Sequence, residues 1–122
     1  MTINQLRRYR EILRRIKTEQ LLLDELILKS APFDSTGGNP YAVSDTVARI
    51  VVEREKTRNN INLLIAEKNA VEGYVAHCEP YYRTLLMWHY IKGRTWTAIS
   101  IKVGVTEESL KKACHRYVRR NP

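Results

Sequence analysis

The stretch VGVTEESLKKACHR, residues 103–116, places a glycine, a helix cap and a run of basic residues within one short segment. Gly104 favours the end of a helix, because glycine relieves the backbone where the chain must leave it. Thr106 can cap a following helix, and Glu107 and Glu108 suit the positive N-terminal end of that helix. The stretch therefore predicts two helices that meet at a tight turn.

The residues on both sides of this turn can pack the two helices against each other. Ser100 is small where the helices would cross, and Thr95 can cap a helix over about Trp96–Val103. The second helix runs from the Thr106 cap to about Arg120. Five inward positions would lock the pair: Ile99, Val103, Val105, Leu110 and Ala113. A preceding helix, PYYRTLLMWHYIK (residues 80–92), ends at Gly93, so the last third predicts three short helices containing a helix-turn-helix.

Positive charge is concentrated in the same part of the chain. The 122 residues carry a formal net charge of +8 with an isoelectric point of about 9.7. From Pro80 to Pro122 there are nine Lys or Arg and two Asp or Glu, which leaves only +1 for all preceding residues. Such a balance favours an anionic partner, and a basic helix-turn-helix favours double-stranded DNA. The alternative for the same pattern is a small basic three-helix bundle with a structural role.

In the DNA-binding interpretation, the second helix enters the major groove while its flanks meet phosphates. Glu108, Ser109 and Lys112 are expected to face bases, and Lys111, His115 and Arg116 to lie nearer phosphates. The full set of predicted DNA-binding residues is Arg94, Thr95, Thr97, Lys102, Thr106, Glu108, Ser109, Lys111, Lys112, His115, Arg116 and Arg119.

The first two thirds of the chain predict two long amphipathic helices. The first runs from about Asn4 to Lys29, with an apolar seam typical of coiled coils. The second should start near Ser44 or Asp45, either of which can cap it, and end near Pro80. Between them, residues of about 30–45 are rich in glycine, proline and turn-forming residues. The seam residues of the first helix are Leu6, Tyr9, Leu13, Ile16, Leu23 and Ile27.

This pattern predicts an all-α fold with two domains. Residues 1–79 would form a long, coiled-coil-like helical hairpin for oligomerisation or partner binding, most simply as a homodimer. Residues 80–122 would form the helix-turn-helix domain. The basic residues of the first helix, Arg7, Arg8, Arg10, Arg14 and Arg15, are interpreted as a solvated helix face rather than a dedicated phosphate track.

The segment YRTLLMWHYIKGRTWTAISIKVGVTEESLKKACHRYVRR, residues 82–120, resembles region 4 of bacterial sigma factors. Tyr90, Gly93, Ile99, Gly104 and the pair His115-Arg116 carry the resemblance. In layout, the whole chain resembles small phage-encoded regulators of the ArpU/RinA type. The resemblance implies a phage or prophage transcriptional regulator, an activator of late genes, that reads specific DNA sequences in the cytoplasm of a bacterial host cell. It also implies RNA polymerase as a partner.

Two other functions are compatible with a basic helix-turn-helix. One is a DNA-packaging subunit of the small-terminase kind, although such subunits usually carry the DNA-binding part first in the chain. The other is an interaction protein that mimics a sigma factor without touching DNA, against which the charge of residues 80–122 argues.

No arrangement of residues indicates catalysis, a cofactor or a metal site. The pairs His77-Cys78 and Cys114-His115 lie about 36 residues apart on predicted helices, unlike the short spacings of zinc sites. Cys114 is expected to face the core near Leu110 and Val118. The start of the chain does not have the pattern of a signal peptide, and no segment has the length of a membrane span. The sequence therefore predicts a soluble, cytoplasmic protein that is not an enzyme and does not contact a membrane.

Overall fold

The computed structural model describes residues 1–30 and 40–122, with side chains described at 1–28 and 46–122. Within those ranges every regular element is helical, which confirms the predicted all-α class. The helices are α1 (Ile3–Ser30), α2 (Pro40–Ala76), α3 (Pro80–Leu86), α4 (Trp96–Val103) and α5 (Glu107–Arg120). Met87–Ile91 continue α3 as a π-helical turn. Among these described helices, none combines the length and the apolar composition needed to cross a membrane.

The start of α2 differs from the sequence-based prediction. The helix begins at Pro40, so Ser44 and Asp45 lie inside it and neither is its cap. Proline suits the first turn of a helix, because the N–H that it lacks would have no helical partner there. The predicted loop at about 30–45 is therefore shorter at its C-terminal side, and residues 31–39 lie outside the described residues.

Contacts divide the chain into two compact units. The first consists of Met1–Leu13 and Ala66–Pro122, and the second of Arg14–Ile65. The first unit carries thirteen Lys or Arg and six Asp or Glu, a net charge of +7, and the second carries +1. These units are not the same as the two functional domains predicted from the sequence, which remain predictions. Nearly all the excess charge belongs to the unit that contains α3, α4 and α5.

The local signals in the last third act as the sequence predicts. The Thr95 hydroxyl accepts a hydrogen bond from the Ala98 N–H at 3.1 Å and caps α4. Thr106 caps α5 in the same way through the Ser109 N–H. Gly93 and Gly104 both have the left-handed backbone, with φ of 74° and 76°. The predicted boundaries of α4 and α5 are therefore confirmed.

The core of the first unit draws on the beginning of α1 and the end of α2 as well as on α3 to α5. Leu110, Cys114 and Val118 form the buried side of α5, and Ile99 is fully buried on α4. The other buried members of this cluster are Leu6, Tyr9, Val71, Val75, Cys78, Leu85, Leu86, Tyr90 and Trp96. Burial of this apolar surface is the main force that holds the short C-terminal helices together, because helices of this length are marginal alone.

One of the five predicted inward positions is wrong. Val105 is 36% exposed, whereas Ile99 and Leu110 are buried and Val103 and Ala113 are half-buried. Val105 contacts α4 through its backbone and not through a buried side chain. The Ser100 hydroxyl donates a hydrogen bond to the Val105 carbonyl oxygen at 2.6 Å.

In the second unit, apolar residues occur on more than one side of the helices. Leu23 on α1 and Ile61 and Leu64 on α2 are buried, and Thr57 joins them. Ile27, which the seam places inward, is 41% exposed. Four large apolar side chains are more than 60% exposed: Leu21, Leu28, Val52 and Leu63.

The left-handed backbone at Gly104 gives a direct test of the turn. Replacing Gly104 with alanine should lower the free energy of unfolding by about 1–2 kcal/mol, because an L side chain disfavours this backbone. A Cβ at Gly104 would meet no atom within 4 Å, so the cost is backbone strain alone. Gly73 lies within α2 and has equally open surroundings. Gly73→Ala should therefore raise stability, by about 0.5–1 kcal/mol. Thermal melting followed by circular dichroism measures both, and effects of the same sign would contradict the assigned turn.

Candidate nucleic-acid interface

The outer side of α5 presents a row of charged and polar side chains. Glu108, Lys112 and Arg119 lie opposite the buried side of the helix, as the helical period requires. Lys111 and His115 flank them on one side, and Ser109 and Arg116 on the other. All of these side chains are exposed except His115, which is partly buried. The first turn is acidic and the last turn carries Arg119 and Arg120, as the helix dipole favours.

The C-terminal half of α5 is held by three tyrosines, so its outer side is rigidly placed. The Tyr117 hydroxyl accepts a hydrogen bond from the Glu79 N–H at 3.0 Å. The Tyr117 ring stacks on Tyr82, with 4.2 Å between ring centroids. The Tyr74 hydroxyl donates to the carbonyl oxygen of Asn121, just beyond the helix.

The turn between α4 and α5 is fixed by a hydrogen bond between exposed side chains. The Thr97 hydroxyl on α4 donates to Glu107 Oε2 at 3.0 Å. Thr97 and Thr106 are both exposed, as are Arg94 and Thr95 before α4 and Lys102 on it. The structure thus places the predicted DNA-binding residues on two helices and the turns that precede them, and it leaves all but His115 at the surface.

Two of the predicted base-facing residues are paired with each other. Lys112 Nζ lies 3.1 Å from Glu108 Oε1, one helical turn away. Both side chains are well exposed, so the pair contributes only about 0.3–0.5 kcal/mol to stability. The ion pair leaves two of the three N–H donors of the Lys112 ammonium available.

Two cations lie over the ring of Trp88, next to α4. Arg94 Cζ lies 5.4 Å from the centroid of the indole ring, and Lys102 Nζ lies 5.2 Å from it. At these distances the ring face attracts both charges. The tryptophan therefore attracts two of the predicted DNA-binding side chains, both of which are exposed.

Two partly buried histidines lie beside this surface. The His89 ring stacks on Trp96, with 4.0 Å between centroids, and its Nδ1 lies 2.8 Å from the Arg94 carbonyl oxygen. A carbonyl oxygen only accepts, so the proton is on Nδ1. Burial lowers the pKa of His89 below 6.5, and the charges of Lys111 and Arg7 lower this pKa further. His115 Nε2 is buried without a hydrogen-bond partner, and burial likewise lowers the pKa of this imidazole.

The lowered pKa values predict that acid destabilises the fold. In the unfolded chain each histidine takes up its proton near pH 6.5, whereas the folded chain takes it up at lower pH. The unfolded state therefore binds more protons below that pH, and the free energy of unfolding should fall as the pH drops through 6.5. Urea denaturation from about pH 7.5 to 5.5, above the ordinary carboxyl range, measures this effect. In the variant with both His89→Gln and His115→Gln, the free energy of unfolding should depend much less on pH. If it falls as steeply as in the wild-type chain, groups other than these two histidines cause the effect.

Two arginines of α1 also lie near this surface. Arg7 and Arg10 belong to the helix face that was predicted to be solvated, and both side chains are exposed. Arg10 Nη1 also donates to the Ile91 carbonyl oxygen at 3.4 Å, just before Gly93. Arg7 lies close enough to His89 and His115 for its charge to lower the pKa of both. No local pattern carries this information, since the contact joins residues about 80 positions apart in the chain.

The cysteines are part of the core. Cys114 is fully buried beside Leu110 and Val118, as predicted, and burial raises the pKa of its thiol to about 12. Cys78 is also buried and free. Within the part of the chain that the structure describes, no three His, Cys, Asp or Glu side chains come together in a group that could hold a metal ion.

No protein-family model, curated protein or solved structure matches the chain. The function must therefore be inferred from the site itself.

Proposed function

We propose that this protein is a sequence-specific, double-stranded-DNA-binding regulator of transcription. In this proposal α4 and α5 form a helix-turn-helix, and α5 is the recognition helix that enters the major groove. The observation that carries the proposal is the exposed basic outer side of α5, held on a buried core next to a glycine turn. The resemblance of residues 82–120 to sigma factor region 4, and of the whole layout to phage ArpU/RinA-type regulators, supports it. No catalytic step is part of this function.

The roles of the side chains follow from their positions on α5. Glu108, Ser109 and Lys112 lie near its N-terminal end, where recognition helices meet base edges. A glutamate can accept from cytosine N4, and a lysine can donate to guanine. The Glu108–Lys112 ion pair at 3.1 Å would hold these two groups in a fixed relation, suited to reading neighbouring bases. Lys111, Arg116 and Arg119 would bind phosphates on both sides of the groove.

The second unit is proposed to form a homodimer or to hold RNA polymerase. Leu21 and Leu28 are exposed seven residues apart on α1, and Val52 and Leu63 are exposed on α2. Exposed apolar side chains at such spacing are typical of helix–helix association. A symmetric dimer would read two half-sites about 10 base pairs apart, or a multiple of that spacing.

A footprint of the full chain on the DNA that flanks its own gene tests the proposed function. We expect protection of a discrete site, and a changed transcript level from a promoter that carries this site in a reaction with purified RNA polymerase. Light scattering of the free protein should give the mass of a dimer. A ring of many copies with no effect on transcription would instead favour the packaging subunit. Uniform protection of all DNA would contradict sequence-specific recognition.

A further inference from the structure

A basic pocket of about 250 Å³ lies in the first unit, where the start of α1 meets the turn before α4. Arg7 and Arg10 reach it from α1, and Arg94 and Thr95 reach it from the turn. His89, with its lowered pKa, forms part of the wall. The pocket is therefore lined by three arginines from two parts of the chain that are distant in sequence.

The positive charge in this pocket is not compensated. Among the residues that the structure describes, no carboxylate oxygen lies within 4 Å of the guanidinium groups of Arg7, Arg10 or Arg94. Arg8, on the same helix, does have such a partner, since its Nη2 lies 3.6 Å from Glu67 Oε2. Clustered cations repel one another unless an anion joins them, so three arginines without a carboxylate partner at one pocket favour an anionic ligand there.

The backbone at Gly93 is adapted to this arrangement. The Arg10 guanidinium lies directly over Gly93, so that a Cβ there would be 2.3 Å from Arg10 Nη1. The only described hydrogen bond of this guanidinium is the long one to Ile91 O, at 3.4 Å. An arginine has five N–H donors in a planar fork that matches a phosphate, so most of the donors of Arg10 are available to a ligand.

We propose that this pocket binds one phosphate group of the DNA backbone, so that α1 extends the contact surface of the helix-turn-helix. The inference rests on the proposed function, because the phosphate belongs to the duplex that α5 reads. Thr95 caps α4 at the edge of the pocket, and Lys111 of α5 is near enough to act on His89, so the pocket adjoins the predicted phosphate-binding residues. A phosphate bound here fixes the position of the duplex and carries no sequence information.

The test compares the full chain with variants that each keep α1 helical. The double variant Arg7→Gln/Arg10→Gln removes the two guanidinium groups that α1 supplies. It should lose one phosphate contact, which reduces the slope of log Kobs against log salt concentration by about 0.9. It follows that, relative to wild type, the variant should lose roughly eightfold more affinity at about 0.1 M salt than at 1 M, equally for specific and unrelated duplexes.

Arg8→Gln is the control from the same turn of α1. It removes one charge, where the double variant removes two, and Arg8 pairs with Glu67 and does not line the pocket. This variant should leave the slope unchanged. The variant Arg7→Lys/Arg10→Lys, which keeps both charges, should recover the slope of the wild-type chain. If wild-type protein binds duplex DNA and the double glutamine variant has the same slope as Arg8→Gln, the pocket proposal is overturned and the proposed function stands. If wild-type protein does not bind duplex DNA, both are overturned.

Discussion

Replacing Leu110 with alanine should lower the free energy of unfolding by about 2–5 kcal/mol. The Leu110 side chain is 1% exposed and belongs to the core formed with Ile99, Cys114 and Val118. The substitution removes apolar contacts and leaves a cavity that the packed neighbours fill only in part. Domains are stable by about 5–15 kcal/mol, so the loss is a large fraction of the total. Urea denaturation of the full chain, followed by circular dichroism, measures it.

Val105→Ala is the control for Leu110→Ala. Both positions are inward in the helix-turn-helix pattern, but Val105 is 36% exposed and its backbone carbonyl, which accepts from Ser100, is kept in the variant. Its effect should stay within about 0.5 kcal/mol, as is usual for surface sites. Equal losses in the two variants would mean that Val105 is packed as the pattern suggests and that the turn has a different geometry.

Removing three cations from α5 should abolish most DNA binding. The variant Lys111→Gln/Arg116→Gln/Arg119→Gln loses three of the proposed phosphate contacts. At about 0.9 for each contact, the variant should lose roughly 500-fold more affinity relative to wild type at about 0.1 M salt than it loses at 1 M. Because all three side chains are exposed or on the outer side of α5, the fold should be kept. Fluorescence anisotropy with a labelled duplex measures the change.

The second unit offers a control with the same change in net charge. Arg49, Lys56 and Arg58 are exposed on α2, and replacing all three with glutamine lowers the net charge by the same three units. We expect this variant to bind DNA within a few-fold of wild type, since none of its three side chains is among the proposed phosphate contacts. Comparable losses in the two triple variants would show that binding depends on overall charge and not on the outer side of α5.

The signals that predicted α4 and α5 are all local. Thr95 and Thr106 cap the helices, and Gly93 and Gly104 end the elements before them, because each needs only its neighbours in the chain. The outer side of α5 was also predictable, since a helix of known register places every fourth residue on the same side. Most of the candidate surface could therefore be named before the structure was known.

The features that the sequence did not predict depend on tertiary contacts or on a choice between similar local signals. The position of Arg10 over Gly93 joins two distant segments, and no periodicity in either reveals it. The apolar side chain of Val105 suggested burial, whereas it is the backbone carbonyl of this residue that contacts α4, by accepting a hydrogen bond from Ser100. At the start of α2, the sequence favoured Ser44 or Asp45 as the cap, and the helix begins earlier, at Pro40.

The salt dependence of DNA binding by the full chain tests the central claim most directly. With three phosphates bound by α5 and one by the pocket beside Gly93, the plot of log Kobs against log salt concentration should be linear with a slope of about −3.6, or steeper for a dimer. Fluorescence anisotropy with a duplex of about 20–30 base pairs, at about 50–200 mM salt, covers the range in which such slopes are measured. A flat plot, or no binding at the lowest salt concentration, would contradict the assignment of α4 and α5 as a DNA-binding surface.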